Sequence, residues 1–448
     1  MKNILLSRDR TGMTDVRNPR RGQNDGLAKA RIRRVSREKM TNYSTFRMIN
    51  DIHRPRKELR LTATTMAGLE QVLAGELEKI GAQAIKPGIR AVTFRGDRTI
   101  MYRANLKLRT ALRVLVPLAS FEAYNEEQLY ELAQKIEWHR YLSVDDTLAI
   151  NTAVSSKYFT HSMYIGLKLK DAIVDQFRSK FHKRPSVDLE EPTVRIHLRI
   201  QQQKCLISLD SSGRSLHLRG YRPQALEAPL NEVLAAGMIM ISGWDGTTPF
   251  VDPMCGSGTL PIEAALIATN TAPGLVANRF GFMKWNSFDA QLWDSIVDEA
   301  RKEIREARCI IVGSDRDGGA IDIAMQNVEH AGVQRLVTLY HAPFQELEPI
   351  SAHEGTIVIN PPYGVRIEEE HIIEAYQIIG DTLKRNWTGY QAWILSANLD
   401  AIKHIGLRPS RRIPLYNGKL ECRFQKYELY EGSKKERQSQ QSGENKEA

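Results

Sequence analysis

Cysteine is scarce: four in 448 residues, at positions 205, 255, 309 and 422. They lie far apart, which excludes a disulfide scaffold and shows no zinc-type pairing; the sequence predicts no metal site. Four thiols suit a reducing cytosol, so a cytoplasmic protein is expected. Long apolar runs are also missing. Nothing approaches the ~20 residues of a membrane-spanning helix, and Ile4-Leu5-Leu6 is too short a core for a secretory signal. No membrane partner is expected. Internal repeats are absent, and so is the Gly-Lys-Ser/Thr ending of a phosphate-binding P-loop. Excess charge is absent from most of the chain. The net charge is +10, and Met1–Glu58 alone carries 16 Lys/Arg against 6 Asp/Glu, so the remainder is balanced.

A basic arm on a neutral body points to a polyanionic partner. Residues 1–58 read as an unstructured extension, with a turn-rich stretch at 18–26 and a basic knot at 31–34. A solvated tail would look the same. Residues 431–448, rich in Ser, Gln, Lys and Glu, read as a second unstructured tail.

Between these ends two textures follow one another. From Leu59 to Leu218, short strands mix with helices in an α+β pattern. Strands are expected at 59–63, 91–94, 147–150 and 194–200, and Cys205–Leu209 is expected to pair with the last through a hairpin at 201–204. Helices are expected near 69–80, 126–135 and 165–181, the last with Leu167, Leu169, Ile173, Val174 and Phe177 mostly inward. From residue 219 to 430, short β-rich strands alternate with helices, the mark of a parallel, doubly wound sheet. Helix 231–241 leads to a strand ending at Asp252, and strands follow at 310–315, 336–340, 356–360 and 392–396. The run Leu420–Tyr430 reads as an antiparallel edge hairpin, and Asn270–Ala307 as an insertion.

Two motifs carry chemistry. Asp252-Pro253-Met254-Cys255-Gly256-Ser257-Gly258-Thr259 joins a strand to a helix. Glycines there let backbone approach a ligand at a helix N-terminus, although a plain tight turn needs them as well. Asp315 ends the next strand, where a carboxylate can take both ribose hydroxyls of a nucleoside cofactor. The second motif is Asn360-Pro361-Pro362-Tyr363-Gly364 after an apolar strand. Two prolines stiffen the loop. The Asn360 side-chain oxygen and the Pro361 carbonyl can both accept from one planar –NH2, and Tyr363 offers a ring on which a flipped base can stack.

Together these motifs resemble those of the amino-methyltransferases that use S-adenosylmethionine (SAM). Leu218–Arg222, Ala228–Glu232, Ala272–Leu275 and Asn417–Cys422 narrow the resemblance, over about Leu59 to Tyr430, to the THUMP-containing RNA methyltransferases, specifically the 23S rRNA guanine-N2 methyltransferase L family. In some relatives a second methyltransferase domain follows; it is expected to be absent here. The resemblance implies a Rossmann-like methyltransferase sheet, mostly parallel with an antiparallel edge hairpin, at 219–430. Before it stands an α+β ferredoxin-like and THUMP region at 59–218 that grips RNA. Asp252, Gly256 and Gly258 would line the methionine part of SAM, Asp315 the ribose and Phe344 the adenine; Cys255 and Thr259 would also contact the cofactor, and Asn231 would flank it. Asn360, Pro361, Pro362 and Tyr363 would take the target guanine for direct methyl transfer to N2.

One departure stands out: where relatives often carry an Asp for the adenine amine, this chain reads His341-Ala342-Pro343-Phe344-Gln345. Ribosomal RNA would be gripped by Lys157, Lys168, Lys170, Arg178, Lys180, Lys183 and Arg184, with Arg219 and Arg222 at the domain junction. Cys255 and Cys422 read as structural. An adenine-N6 DNA or RNA methyltransferase would use the same Asn-Pro-Pro-Tyr chemistry. A non-catalytic RNA-binding assembly factor would tolerate the missing adenine carboxylate.

Overall fold

The computed structural model describes residues 46–53, 58–222, 229–277, 279–351, 354–362 and 369–430. The extension before residue 46, Ala228, Tyr363, Gly364 and the tail 431–448 lie outside the described residues. The N-terminal half runs β1 (Arg47–Met48), β2 (Leu59–Thr64), α1 (Glu70–Lys79), β3 (Gln83–Gly88), β4 (Ala91–Gly96), α2 (Arg98–Lys107), β5 (Arg113–Glu122), α3 (Glu126–Ala133), β6 (Thr147–Ser155), α4 (Ser162–Phe181), β7 (Ser186–Val187), β8 (Val194–Gln201) and β9 (Lys204–Asp210). The C-terminal half runs α5 (Glu232–Ser242), β10 (Phe250–Asp252), α6 (Thr259–Ala268), α7 (Pro273–Ala277), α8 (Ala290–Lys302), β11 (Ile311–Asp315), α9 (Gly318–His330), β12 (Val337–His341), β13 (Thr356–Ile359), α10 (Glu369–Asn386), β14 (Gln391–Ser396), β15 (Arg411–Asn417) and β16 (Leu420–Glu428).

The first half is one continuous sheet in the order β3-β4-β2-β5-β9-β8-β6-β7, with β1 added beside β5. The hairpin β8–β9 forms as expected, with Gln201 opposite Lys204. Strand β5 is not expected from sequence, because Pro117 in mid-run argues against a central strand. The sheet accommodates it with a register shift between Pro117 and Ala119, and the Pro117 carbonyl accepts from Asn50 Nδ2 at 2.8 Å. Asn50 also exchanges hydrogen bonds with the Arg60 backbone. Residues 47–48 are therefore a strand of the sheet, within the segment 1–58 expected to be unstructured. Helix α2 has no clear sequence signal because its buried residues fall on more than one face of the pattern.

The second half orders its strands β12-β11-β10-β13-β14-β16-β15. The first five, β12 to β14, are parallel, and the last two run antiparallel. The central strands β10 and β13 are buried along their whole length, as parallel strands covered on both faces must be. Leu420–Glu428 is one strand of the edge hairpin and Arg411–Asn417 the other, so the hairpin is larger than expected. The insertion folds into α7 and α8 and packs on α2. Tyr102 stacks on Phe282 with centroids 4.4 Å apart, and Arg103 and Lys107 pair with Glu299 and Glu303 at 2.8 Å. Each half thus buries part of the other. No helix among the described residues is long and apolar enough to cross a membrane.

Candidate active site

The loop after β10 is shaped by its glycines and tied to the next strand. Gly256 (φ +52°) donates its N–H to Asp315 Oδ2 at 2.9 Å, and Cys255 N donates to the Ser314 carbonyl at 2.8 Å. Gly258 (φ +80°) begins the turn into α6, and Asn327 Nδ2 on α9 holds the Ser257 carbonyl at 2.9 Å. Asp315 also accepts from Asp317 N at 3.0 Å. Asp252 is 1% exposed and accepts from Met254 N at 3.2 Å. Burial pushes its carboxyl well above the usual range, and the nearby Asp315 charge adds to that. Burial likewise drives the Cys255 thiol up, so this cysteine is no ready thiolate.

Asn360, Pro361 and Pro362 follow β13, the neighbour of β10. Tyr376 on α10 is fully buried; its hydroxyl lies 2.7 Å from Ser396 Oγ and donates to the Pro362 carbonyl at 3.5 Å. Nothing in the sequence marks this brace, since Tyr376 reads only as a core position of an amphipathic helix.

One cavity of about 970 Å³ joins the two motifs. It brings together Asp252, Cys255, Gly256, Thr259, Asp315, Phe344, Asn360, Pro361 and Pro362. Its size lies at the upper end for small-molecule sites. The buried carboxylate Asp252 and the acceptor Asp315 fit a ligand with a cationic part and a ribose. Two expected cofactor residues are not in the wall. Asn231 caps α5 instead, its side-chain oxygen accepting from Val233 N and Leu234 N, and its neighbours Pro229 and Leu230 line the cavity. Gly258 lies beneath the loop, against Ala324. Phe344 is 2% exposed, with its ring 5.9 Å from that of Trp387, so it forms a wall and little of its face is open. Pro343 lines the cavity, and so does exposed Gln345, with an amide that can both donate and accept. His371, Glu374, Asn417 and Leu420 line it too. Only Asn417 and Leu420 have any signal in the sequence.

The cationic residues divide. Lys157, Arg178, Lys180, Lys183 and Arg184 are exposed, and Lys168 and Lys170 half-buried, all on or beside α4. They surround the helix and do not form one row, since residues two apart point to different sides. Several have partners: Lys170 pairs with Asp171 at 3.1 Å, Arg178 with Asp175 at 3.2 Å, and Lys168 lies over the Tyr130 ring. Phe159 is core, 1% exposed, so it is not a stacking platform. Leu167, expected inward, is 48% exposed.

Arg219 and Arg222 do not face RNA. Arg219 is 1% exposed and ion-paired with Glu263. The Arg222 side chain is 10% exposed and ion-paired with Glu232.

Comparison with known proteins gives the family. Residues 219–426 match the RMKL-like methyltransferase domain, residues 123–210 the THUMP domain and residues 60–115 the RlmL ferredoxin-like domain. A Synechocystis protein assigned as an RNA methyltransferase is 42% identical over 82% of this chain and 96% of its own length. The ribosomal RNA large subunit methyltransferase K/L of Syntrophotalea carbinolica is 38% identical over 83% of this chain. The match spans 54% of that longer protein. Among solved structures, an assigned methyltransferase in complex with SAH is 28% identical with a TM-score of 0.75, covering 84% of this chain and 100% of its own. A Listeria monocytogenes protein described as an N6-adenine-specific DNA methylase is 29% identical with a TM-score of 0.74, covering 83% of this chain and 97% of its own.

Proposed function

The chain belongs to the RMKL-like methyltransferases that carry a THUMP domain, a family of SAM-dependent RNA methyltransferases, and from that premise we propose that it methylates the exocyclic N2 amine of a guanosine in large-subunit (23S) ribosomal RNA. The observation that carries this reading is the shared cavity: Asn360 and Pro361 line the same space as Asp252 and Asp315. SAM, when bound, supplies a methyl group on a sulfonium. The chain's own residues position its partner. The guanine amine is a poor nucleophile because its lone pair is delocalised into the ring. Asn360 Oδ1 and the Pro361 carbonyl accept its two N–H bonds, draw the nitrogen toward a tetrahedral shape and aim the lone pair into the cavity. They also stabilise the positive charge that develops on nitrogen, which then sheds one proton to water to leave the neutral methylated amine. Tyr376 and Ser396 brace the loop that presents these acceptors.

Glu374 supports guanine over adenine. It lines the cavity from α10, and a carboxylate accepts the N1–H that guanine has and adenine lacks. The longer relative named for large-subunit rRNA supports the same substrate class, and the cations around α4 supply the RNA grip.

The test is incubation with methyl-labelled SAM and unmodified large-subunit rRNA, followed by identification of the labelled nucleoside. Label on guanosine N2 is expected. Label on adenosine N6 would keep the chemistry and overturn the base. In Asn360→Ala, transfer should fall about a hundredfold, the usual cost of one preorganised polar group, with SAM affinity nearly unchanged. Loss of affinity with normal turnover at saturation would reverse the role given to Asn360.

A further inference from the structure

The segment 219–222, expected to meet RNA, instead lies across one face of α6. Thr259 and Glu263 are four residues apart on that helix and so share a side. Arg219 Nε and Tyr221 Oη each donate to Glu263 Oε1 at 3.3 Å. Arg222 Nη2 donates to Thr259 Oγ1 and, at 2.8 Å, to the Leu230 carbonyl. Arg222 Nη1 is 3.4 Å from Glu232 Oε1.

The same segment is tied to the N-terminal half. Arg219 Nη2 donates to the Arg109 carbonyl. Arg109 Nη2 donates to the carbonyls of Leu266 (3.0 Å) and Thr271 (2.9 Å). Glu76 on α1 accepts from the Arg109 and Thr110 backbone at 2.7 and 3.0 Å. A buried, charge-assisted chain therefore runs from α1 to the helix that begins at the glycine loop.

Arg222 is placed at some cost. A cation beside the first turn of α6 opposes the helix dipole, and a buried guanidinium is expensive unless it is well paired. What its position achieves is local. Thr259 is the first residue of α6, and both Thr259 and Leu230 line the cavity. One guanidinium nitrogen bridges the two from behind.

We propose that Arg222 is a positioning residue for the cofactor: by pinning Thr259 to the Leu230 carbonyl it holds the start of α6 and the 229–230 segment at the separation SAM requires. It does so through Thr259 and touches neither RNA nor the reacting atoms.

A double-mutant cycle on the full chain tests this, with SAM and RNA affinities measured separately. Arg222→Lys keeps the charge but has one nitrogen where the guanidinium has two, so it cannot face Glu232 and bridge Thr259 to the Leu230 carbonyl from both positions at once. It should weaken SAM binding about tenfold, the size of one charge-assisted hydrogen bond, and leave RNA affinity within about twofold. Thr259→Val removes the same interaction from the other end without stranding a charge, and should weaken SAM binding in the same direction. Thr259→Ser should restore it. The double variant should be no worse than the weaker single, because both remove one interaction. Independent, multiplying effects would overturn the proposal. So would unchanged SAM affinity with only a lower melting temperature, which marks a structural strut, or a loss confined to RNA binding.

Discussion

Asp252 bears a large desolvation cost within the cavity wall. It is buried, and its carboxyl is held above the ordinary range by that burial and by Asp315. Its folded-state pKa exceeds the ordinary carboxylate value, so what it adds to apo stability is present at low pH and lost as pH rises through the raised value. A cationic ligand reverses this by favouring the ionised form. SAM binding should therefore release a proton near the raised pKa, and affinity should fall as pH drops below it. Calorimetry in two buffers of different ionisation heat would detect that proton. Asp252→Asn should abolish the buffer difference and weaken binding about tenfold or more, as removal of a charged hydrogen-bonding partner does. An unchanged buffer dependence in the variant would remove Asp252 as the counter-charge.

Among the elements, α6 concentrates the most demands. Its N-terminus needs a left-handed residue at Gly258, where an added Cβ would stand 3.2 Å from the Ala324 Cβ and 3.5 Å from its Cα. Gly258→Ala should cost about 1–2 kcal/mol from the positive φ alone. It should also weaken SAM binding by shifting the loop against α9, while RNA affinity stays intact. Melting curves with and without S-adenosylhomocysteine would separate the two effects; a full ligand-induced rise in melting temperature would show that the loop tolerates the methyl. The alternation of helices and strands around α6 is legible from residue 231 to 396, because parallel strands buried on both faces are plain apolar runs. Strand β5 is hidden by Pro117, and α2 by its lack of a clean stripe. In both cases long-range packing outweighs local pattern.

At the scale of the whole molecule, α2 and the insertion carrying α7 and α8 lock the two halves together through Tyr102, Arg103 and Lys107. RNA held near α4 would then meet the cavity at a set reach. The basic extension is proposed to add charge to that grip. Residues 1–45 carry 12 Lys/Arg against 4 Asp/Glu, and their removal leaves β1 in place. Deleting them should weaken RNA binding most at low salt and flatten the dependence of log affinity on log salt, since every phosphate that is no longer neutralised takes about 0.7–0.9 off that slope. An unchanged slope would mean the extension neutralises no phosphate.

The sequence by itself determined the motifs that line the cavity. Asp252 to Thr259, Asp315 and Asn360 to Pro362 are short motifs whose glycines, prolines and acceptors act through local backbone geometry, and local geometry is written in adjacent residues. Tertiary structure decided which of the remaining candidates face the cavity. Arg219 and Arg222 look like nucleic-acid contacts in sequence and become buried braces, because Glu263 and Glu232 meet them only after α5 and α6 pack. Asn231 became a helix cap and Phe344 a core wall for the same reason. Glu374, Gln345 and Tyr376 gained their places from α10 and the β12 loop closing over the sheet. Burial is a sum over the whole fold, and no local spacing encodes it.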